Sequence, residues 1–213
     1  MYTEYACYDE PNEQKLQENI FKALEHNIHG ISVPYILLGK LANNIPHGIT
    51  ISSPIDWPLG KASTTIRNHA IIHAINQGVT AIDLVASNIM YINSKETDFI
   101  NDIVSNYNIC KDKKITLRIM MEYRVWDNKN ISDVCSVLKK EGVEYIFPST
   151  GHRIDNHQDN MIVGHYLQKS FGLSAITNGN VYNKEHYDNI VGSGIYGIRF
   201  HSVNSLHRIL SGV

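Results

Sequence analysis

The chain is poor in cysteine, in charge and in long apolar runs, and each shortage excludes a class of protein. The three cysteines in 213 residues, Cys7, Cys110 and Cys135, are odd in number and far apart, and no CxxC pair occurs. Neither a disulfide framework nor a thiolate zinc site is expected from them. Charged residues make up only 19% of the chain and the formal net charge is −2. That balance gives no bulk attraction to nucleic acid or to an anionic membrane. No apolar stretch approaches the length of a membrane span. Met1 is followed by Tyr2, Thr3 and Glu4 rather than by a basic and then apolar leader. These absences read as a protein of the reducing cytoplasm with neither nucleic acid nor membrane as partner.

What is present is a 43% hydrophobic composition, enough to bury the core of one domain. Short β-rich runs at 6–8, 30–33, 49–52, 81–86, 115–122, 145–147, 174–177 and 197–201 alternate with amphipathic segments. Runs 81–86 and 115–122 are nearly continuous in apolar residues, as in parallel strands buried on both faces. Between the runs, Leu16, Ile20 and Leu24 recur at four-residue steps after Pro11. Ile66, Ala70 and Ala74 share a stripe behind a Ser63 cap. Val134, Val137 and Leu138 face inward on a helix opened by Asp127 or Asn130 and ended by Gly142. Eight such units without a compositional break predict an α/β fold of one domain over residues 1–213, a closed (β/α)8 TIM barrel rather than an open doubly wound sheet.

Barrels of this kind carry their chemistry at the C-terminal ends of the strands. Asp83 lies in an otherwise apolar run, where a carboxylate is costly unless it is paired. Arg118, Met120 and Glu122 share one parity, so Arg118 and Glu122 are expected to meet Asp83 in a charged network at the mouth. The network reads either as an acid–base site or as a satisfied ion-pair cluster without chemistry. Ser149-Thr150-Gly151 either turns backbone N–H groups toward an anion such as phosphate or is a plain turn into a helix. His201, on the last strand, is expected at the mouth or its rim. His152, His157 and His165, with Asp155 and Asp159 among them, lack the HxH or HExxH spacing of a ligand set, so no metal is expected. Gly192-Ser193-Gly194-Ile195-Tyr196-Gly197 matches GxGxxG, but it ends a helix and enters a strand. A dinucleotide site needs the opposite order, so no cofactor is expected either.

Several of these segments together resemble the deoxyribose-phosphate aldolases, from about Leu16 to Ser202 and mostly in register. Trp57-Pro58-Leu59-Gly60 with Ser63-Thr64-Thr65 is similar to the family's F-P-L-G segment and threonine-rich helix start. Ile82-Asp83-Leu84-Val85, Leu117 to Glu122, Ser149-Thr150-Gly151 and the stretch from Gly179 to Ser202 follow its later motifs in order. The resemblance implies a class I aldolase barrel in which a sixth-strand lysine attacks an aldehyde and forms a Schiff base. Here that stretch is Tyr145-Ile146-Phe147-Pro148-Ser149-Thr150-Gly151, and Phe147 stands at the nucleophile's place. A seventh-strand lysine of the family matches Ile176, and a fifth-strand lysine matches Arg118. The small eighth-strand residues that admit the substrate phosphate match Arg199, Phe200, His201 and Ser202. Asp83 alone keeps the place of the family's proton-relay aspartate.

Three functions follow from that comparison. The first is a diverged lyase or isomerase acting without a Schiff base on a small phosphorylated sugar or aldehyde. Asp83, Glu122, Arg118 and His201 would form its catalytic set, with Ser149, Thr150, Gly151, Gly179, Arg199 and Ser202 binding substrate or phosphate. On this reading Asp83→Asn abolishes turnover and leaves the fold intact. The second is an inactive homologue that binds a sugar phosphate or a protein partner. The third is an aldolase using a relocated lysine, Lys61 above all, or a metal. A homo-oligomer is compatible with each.

Overall fold

The computed structural model describes residues 1–39, 41–93, 96–152 and 156–212. Asp155 of the histidine-rich segment therefore lies outside the described residues. Eight parallel strands pair in chain order and the last closes onto the first. They are β1 (Tyr2–Ala6), β2 (Gly30–Ser32), β3 (Thr50–Ile55), β4 (Ala81–Val85), β5 (Thr116–Met120), β6 (Tyr145–Phe147), β7 (Ser174–Asn178) and β8 (Gly197–Phe200). Around them run α1 (Glu13–Leu24), α2 (Thr64–Asn76), α3 (Asn88–Ile92), α4 (Glu96–Asp112), α5 (Asn128–Glu141), α6 (His157–Phe171), α7 (Lys184–Gly192) and α8 (Val203–Ser211). The (β/α)8 TIM barrel expected from the pattern is the observed fold.

Local chemistry explains most of the boundaries. Asp127 caps α5, its side chain accepting from the Asn130 N–H, and Gly142 ends that helix in the left-handed region at φ 94°. Asn12, Asn156, Asn183 and Ser202 cap α1, α6, α7 and α8 in the same side-chain manner. Leu16, Ile20 and Ala23 form the buried face of α1 against the barrel. The core is a continuous apolar shell between strands and helices, and burial pushes the thiols of Cys110 and Cys135 up to about 12. Neither thiol is a nucleophile at neutral pH. No helix among the described residues is long and apolar enough to cross a membrane.

Three expectations need correction. The first strand runs Tyr2–Ala6, not 6–8, because Glu4 faces into the barrel opposite Gly30 on one side and Arg199 on the other. Glu4 is there a fully buried core residue. Between β2 and β3 the described chain forms only short 3-10 turns at Tyr35–Leu37 and Ala42–Asn44. Pro34 and Pro46, with Gly39 and Gly48, interrupt any longer helix there. On α2 the buried residues are Arg67, Ile71 and Ala74, while Ile66 is 61% exposed. The helix is rotated so that Arg67 reaches buried carboxylates, which a hydrophobic stripe does not anticipate.

Candidate active site

Parallel register sets Asp83 directly opposite Arg118, and alternation turns both toward the barrel axis, where Arg199 and Glu4 meet them. The four side chains close a ring. Arg118 Nε donates to Asp83 Oδ1 at 2.6 Å and its Nη1 to Glu4 Oε2 at 2.9 Å. Arg199 Nε donates to Glu4 Oε1 at 2.5 Å and its Nη2 to Asp83 Oδ2 at 2.5 Å. Two positive and two negative groups thus cancel at the barrel centre. Asp83, Glu4 and Arg199 are fully buried and Arg118 is 3% exposed.

Hydroxyl groups saturate what the ring leaves over. Ser32 and Ser52 each donate to Asp83 Oδ2, at 2.9 and 3.0 Å. Arg118 Nη2 donates to Ser52 Oγ at 2.7 Å, and Arg199 Nη1 to the Tyr8 hydroxyl at 2.6 Å. The Tyr8 hydroxyl lies 2.9 Å from Ser32 Oγ. Since Ser32 spends its proton on Asp83, Tyr8 is the donor in that pair. Asp83 therefore accepts four hydrogen bonds, three at Oδ2 and one at Oδ1. Burial alone would raise its pKa, but the Arg118 and Arg199 guanidinia override that and hold it down at about 2. Burial works against the charge of Arg118 too, and Asp83 and Glu4 more than restore it, so its pKa is raised.

Phe147 sits against this ring. Its centroid lies 4.1 Å from the guanidinium carbon of Arg199 and 5.1 Å from that of Arg118. The ring is fully buried, in one apolar cluster with Val85, Met120 and Ile176. Cation–π contact gives the phenyl group a positive electrostatic role in addition to its packing.

The remaining candidates lie at the mouth, in two groups. Glu122, just past β5, accepts from Thr150 Oγ1 at 2.5 Å through Oε2, and its buried Oε1 has no hydrogen-bond partner. It follows the parity of Arg118 but stands beyond the end of the strand, outside the ring. Ser149 Oγ accepts from the Gly151 N–H at 3.0 Å, and Gly151 holds φ 75°. Asn178 Nδ2 donates to the Ser149 carbonyl, and Gly179 turns the chain after β7 at φ 136°. His201 is half-buried, with Nε2 bonded to Asn178 Oδ1. Ser202 spends its hydroxyl on the Ser205 N–H as the cap of α8. Tyr8 and Trp57 pack in a tilted pair with centroids 5.1 Å apart, and the Trp57 indole N–H donates to the Thr150 carbonyl at 3.1 Å. Lys61 is exposed. The described residues hold no group of three or more His, Cys, Asp or Glu arranged to bind a metal.

Comparison with known proteins fits this geometry. No family model matches the chain. It is 27% identical to the deoxyribose-phosphate aldolase of Treponema denticola over 149 residues, 68% of each chain. With the deoxyribose-phosphate aldolase of Mycoplasmopsis synoviae it shares 25% over 146 residues, 67% of this chain and 64% of the relative. The chain thus spans about two thirds or less of these curated relatives. The tetrameric deoxyribose phosphate aldolase of Aeropyrum pernix superposes with a TM-score of 0.86, covering 99% of this chain and 90% of the other at 17% identity. A protein described as QR15, an aldolase, superposes at 0.85, with 99% and 93% covered and 17% identity.

The chain is similar in sequence to deoxyribose-phosphate aldolases and shares their fold.

The barrel centre here is an arginine–carboxylate ring with Phe147 packed against it. Sequence reasoning brought Asp83, Arg118 and Arg199 to one end of the barrel but missed Glu4, Tyr8 and the depth of the ring. The strict alternation of Tyr2, Glu4 and Ala6 was the available signal for Glu4, and the misplaced first strand concealed it.

Proposed function

We propose that this protein is a deoxyribose-phosphate aldolase homologue that has given up Schiff-base chemistry and binds a small phosphorylated ligand at its mouth without aldol turnover. The observation that carries this reading is Asp83, which is fully buried and accepts hydrogen bonds from Arg118, Arg199, Ser32 and Ser52. A fully buried carboxylate that two guanidinia hold ionised, with its pKa lowered to about 2, is a weak base and lies out of reach of a substrate proton. Phe147 supplies no nucleophile, and Arg118 and Arg199 are buried and paired with Asp83 and Glu4, which leaves them no part in clamping an anion. Ligand contact then falls to Ser149, Thr150, Gly151, Gly179 and Ser202, with Tyr8, Trp57, His152 and His201 as aromatic walls. Because a solved relative is tetrameric, a homo-oligomer is part of this proposal.

A second reading is favoured by one observation. Glu122 is 5% exposed, bonded to Thr150 through one oxygen and unpartnered at the other. That arrangement suits a general acid or base in a lyase or isomerase acting without an imine, with His201 as proton shuttle.

Borohydride reduction with acetaldehyde and with deoxyribose 5-phosphate, read by intact mass, tests the first reading. A lysine-bearing family member labelled alongside should gain a covalent adduct while this chain gains none. An adduct on Lys61 or any other lysine overturns the proposal. Deoxyribose 5-phosphate that raises the melting temperature and is recovered unchanged supports binding. Conversion that disappears in Glu122→Gln favours the second reading.

A further inference from the structure

Away from the barrel axis, the first turns of α6 and α7 converge on an open cleft of about 400 Å³ lined by Asn156, His157, Gln158, Tyr182 and His186. The loops that lead into it are held together by a parallel bridge between Asn156 and Asn180. Asn160 Nδ2 fastens α6 to the Asn178 carbonyl at the end of β7. The cleft is thus built on two helix starts joined through the barrel rim, and it does not contain the mouth residues Trp57, His152 or His201.

Two side chains in it each carry one buried ring nitrogen without a hydrogen-bond partner. His157, the first residue of α6, is 5% exposed, and its Nε2 has no hydrogen-bond partner. His186, in the first turn of α7, has an equally unpartnered and buried Nδ1. The two imidazoles stack with centroids 4.1 Å apart and planes 26° apart. Buried polar atoms are satisfied in folded proteins, so two orphaned ring nitrogens on one cleft call for a ligand that meets both. We infer that the α6–α7 cleft binds a small oxyanion, held by His157 Nε2–H and His186 Nδ1–H at the positive ends of the two helices.

Charge decides between an anion and a cation. Helix starts carry partial positive charge and favour an anion, and α6 and α7 both bring theirs to this cleft. The lining holds no carboxylate or thiolate, and the described residues provide no third ligand for a metal. A divalent cation would have two imidazoles alone and would face both helix dipoles. Burial, and then the neighbouring His186, lower the pKa of His157. The neutral form of His157 is thereby favoured, and a neutral imidazole still has one N–H to donate to an anion.

The test uses the full chain with ¹⁵N-labelled histidine, titrated with inorganic phosphate and, separately, with acetate. Imidazole signals are assigned from His157→Gln and His186→Gln, whose melting curves are recorded as a folding check. The His157 and His186 signals should move together and saturate, and phosphate affinity should fall about tenfold or more in His186→Gln. His186 is less buried than His157, so its variant keeps the test open if His157→Gln fails to fold. A response to both anions identifies a general oxyanion site, and a response to phosphate alone narrows it to tetrahedral anions. Movement of His152 and His201 only, or of no histidine, overturns the inference. So does one-to-one zinc binding at this pair where phosphate has no effect. The mouth plays no part in the site, so loss of mouth binding leaves this result readable.

Discussion

The guanidinium carbon of Arg199 lies 4.1 Å from the centroid of the Phe147 ring, and the contact ties the missing nucleophile to the charged centre of the barrel. An amine at that position would be a third cation beside Arg118 and Arg199. A phenyl ring instead presents its negative face to them. Phe147 is therefore a residue suited to a ring of two arginines and two carboxylates.

Restoring the lysine should accordingly fail. In Phe147→Lys the amine is surrounded by guanidinia and has no route to solvent, since residue 147 is fully buried. We expect a loss of about 3 kcal/mol in urea unfolding, from the missing ring and an uncompensated buried amine. Borohydride trapping with acetaldehyde should give no more adduct than the wild type. An adduct at residue 147 would show that substrate reaches this layer and that only the nucleophile was lacking.

Asp83→Asn separates a structural ring from a proton relay. The amide keeps the shape but leaves two buried guanidinia facing Glu4 alone. The expected cost is about 3–5 kcal/mol, read by denaturant midpoint at constant slope. The sequence alone suggests instead an intact fold with turnover abolished. A variant as stable as the wild type would contradict the structural role.

Acid stability carries the same information with a fixed sign. The folded pKa of Asp83, about 2, lies below its ordinary 3.8. Its contribution is fully present above the unfolded value and is lost as pH falls through the folded one. Unfolding free energy should drop between roughly pH 4 and pH 2, with about 2 kcal/mol of the drop due to this residue. The difference between wild type and Asp83→Asn should narrow over that window, and a difference independent of pH would rule out Asp83 as its source.

The barrel was legible because parallel strands buried on both faces read as apolar runs and because helix ends are marked at Asp127 and Gly142. The centre was legible only in part. Asp83 and Arg118 share adjacent strands and one parity, so their meeting follows from alternation. Glu4 and Arg199 reach them from the first and last strands, 195 positions apart, and only closure of the barrel makes them neighbours. Local patterning also fails when a charge is core. Glu4 displaced the expected first strand and Arg67 the expected face of α2, since a hydrophobic period assigns both to solvent.

Arg67 offers the sharpest test of that second failure. It is fully buried, and its three guanidinium nitrogens go to three different elements. Nε donates to Asp56 after β3 at 3.0 Å, Nη1 to Asp102 on α4, and Nη2 to the Val85 carbonyl at the end of β4. Asp102 in turn accepts from Thr64 at 2.7 Å. A lysine carries the same charge on a single nitrogen and cannot reproduce three diverging donors. Arg67→Lys should therefore cost about 3 kcal/mol or more, since it leaves a buried carboxylate short of its partner. Ile66→Ala, one residue away and exposed, should cost less than about 0.5 kcal/mol. Both are read as shifts in urea midpoint, and the reverse order would return α2 to the orientation its hydrophobic stripe suggests.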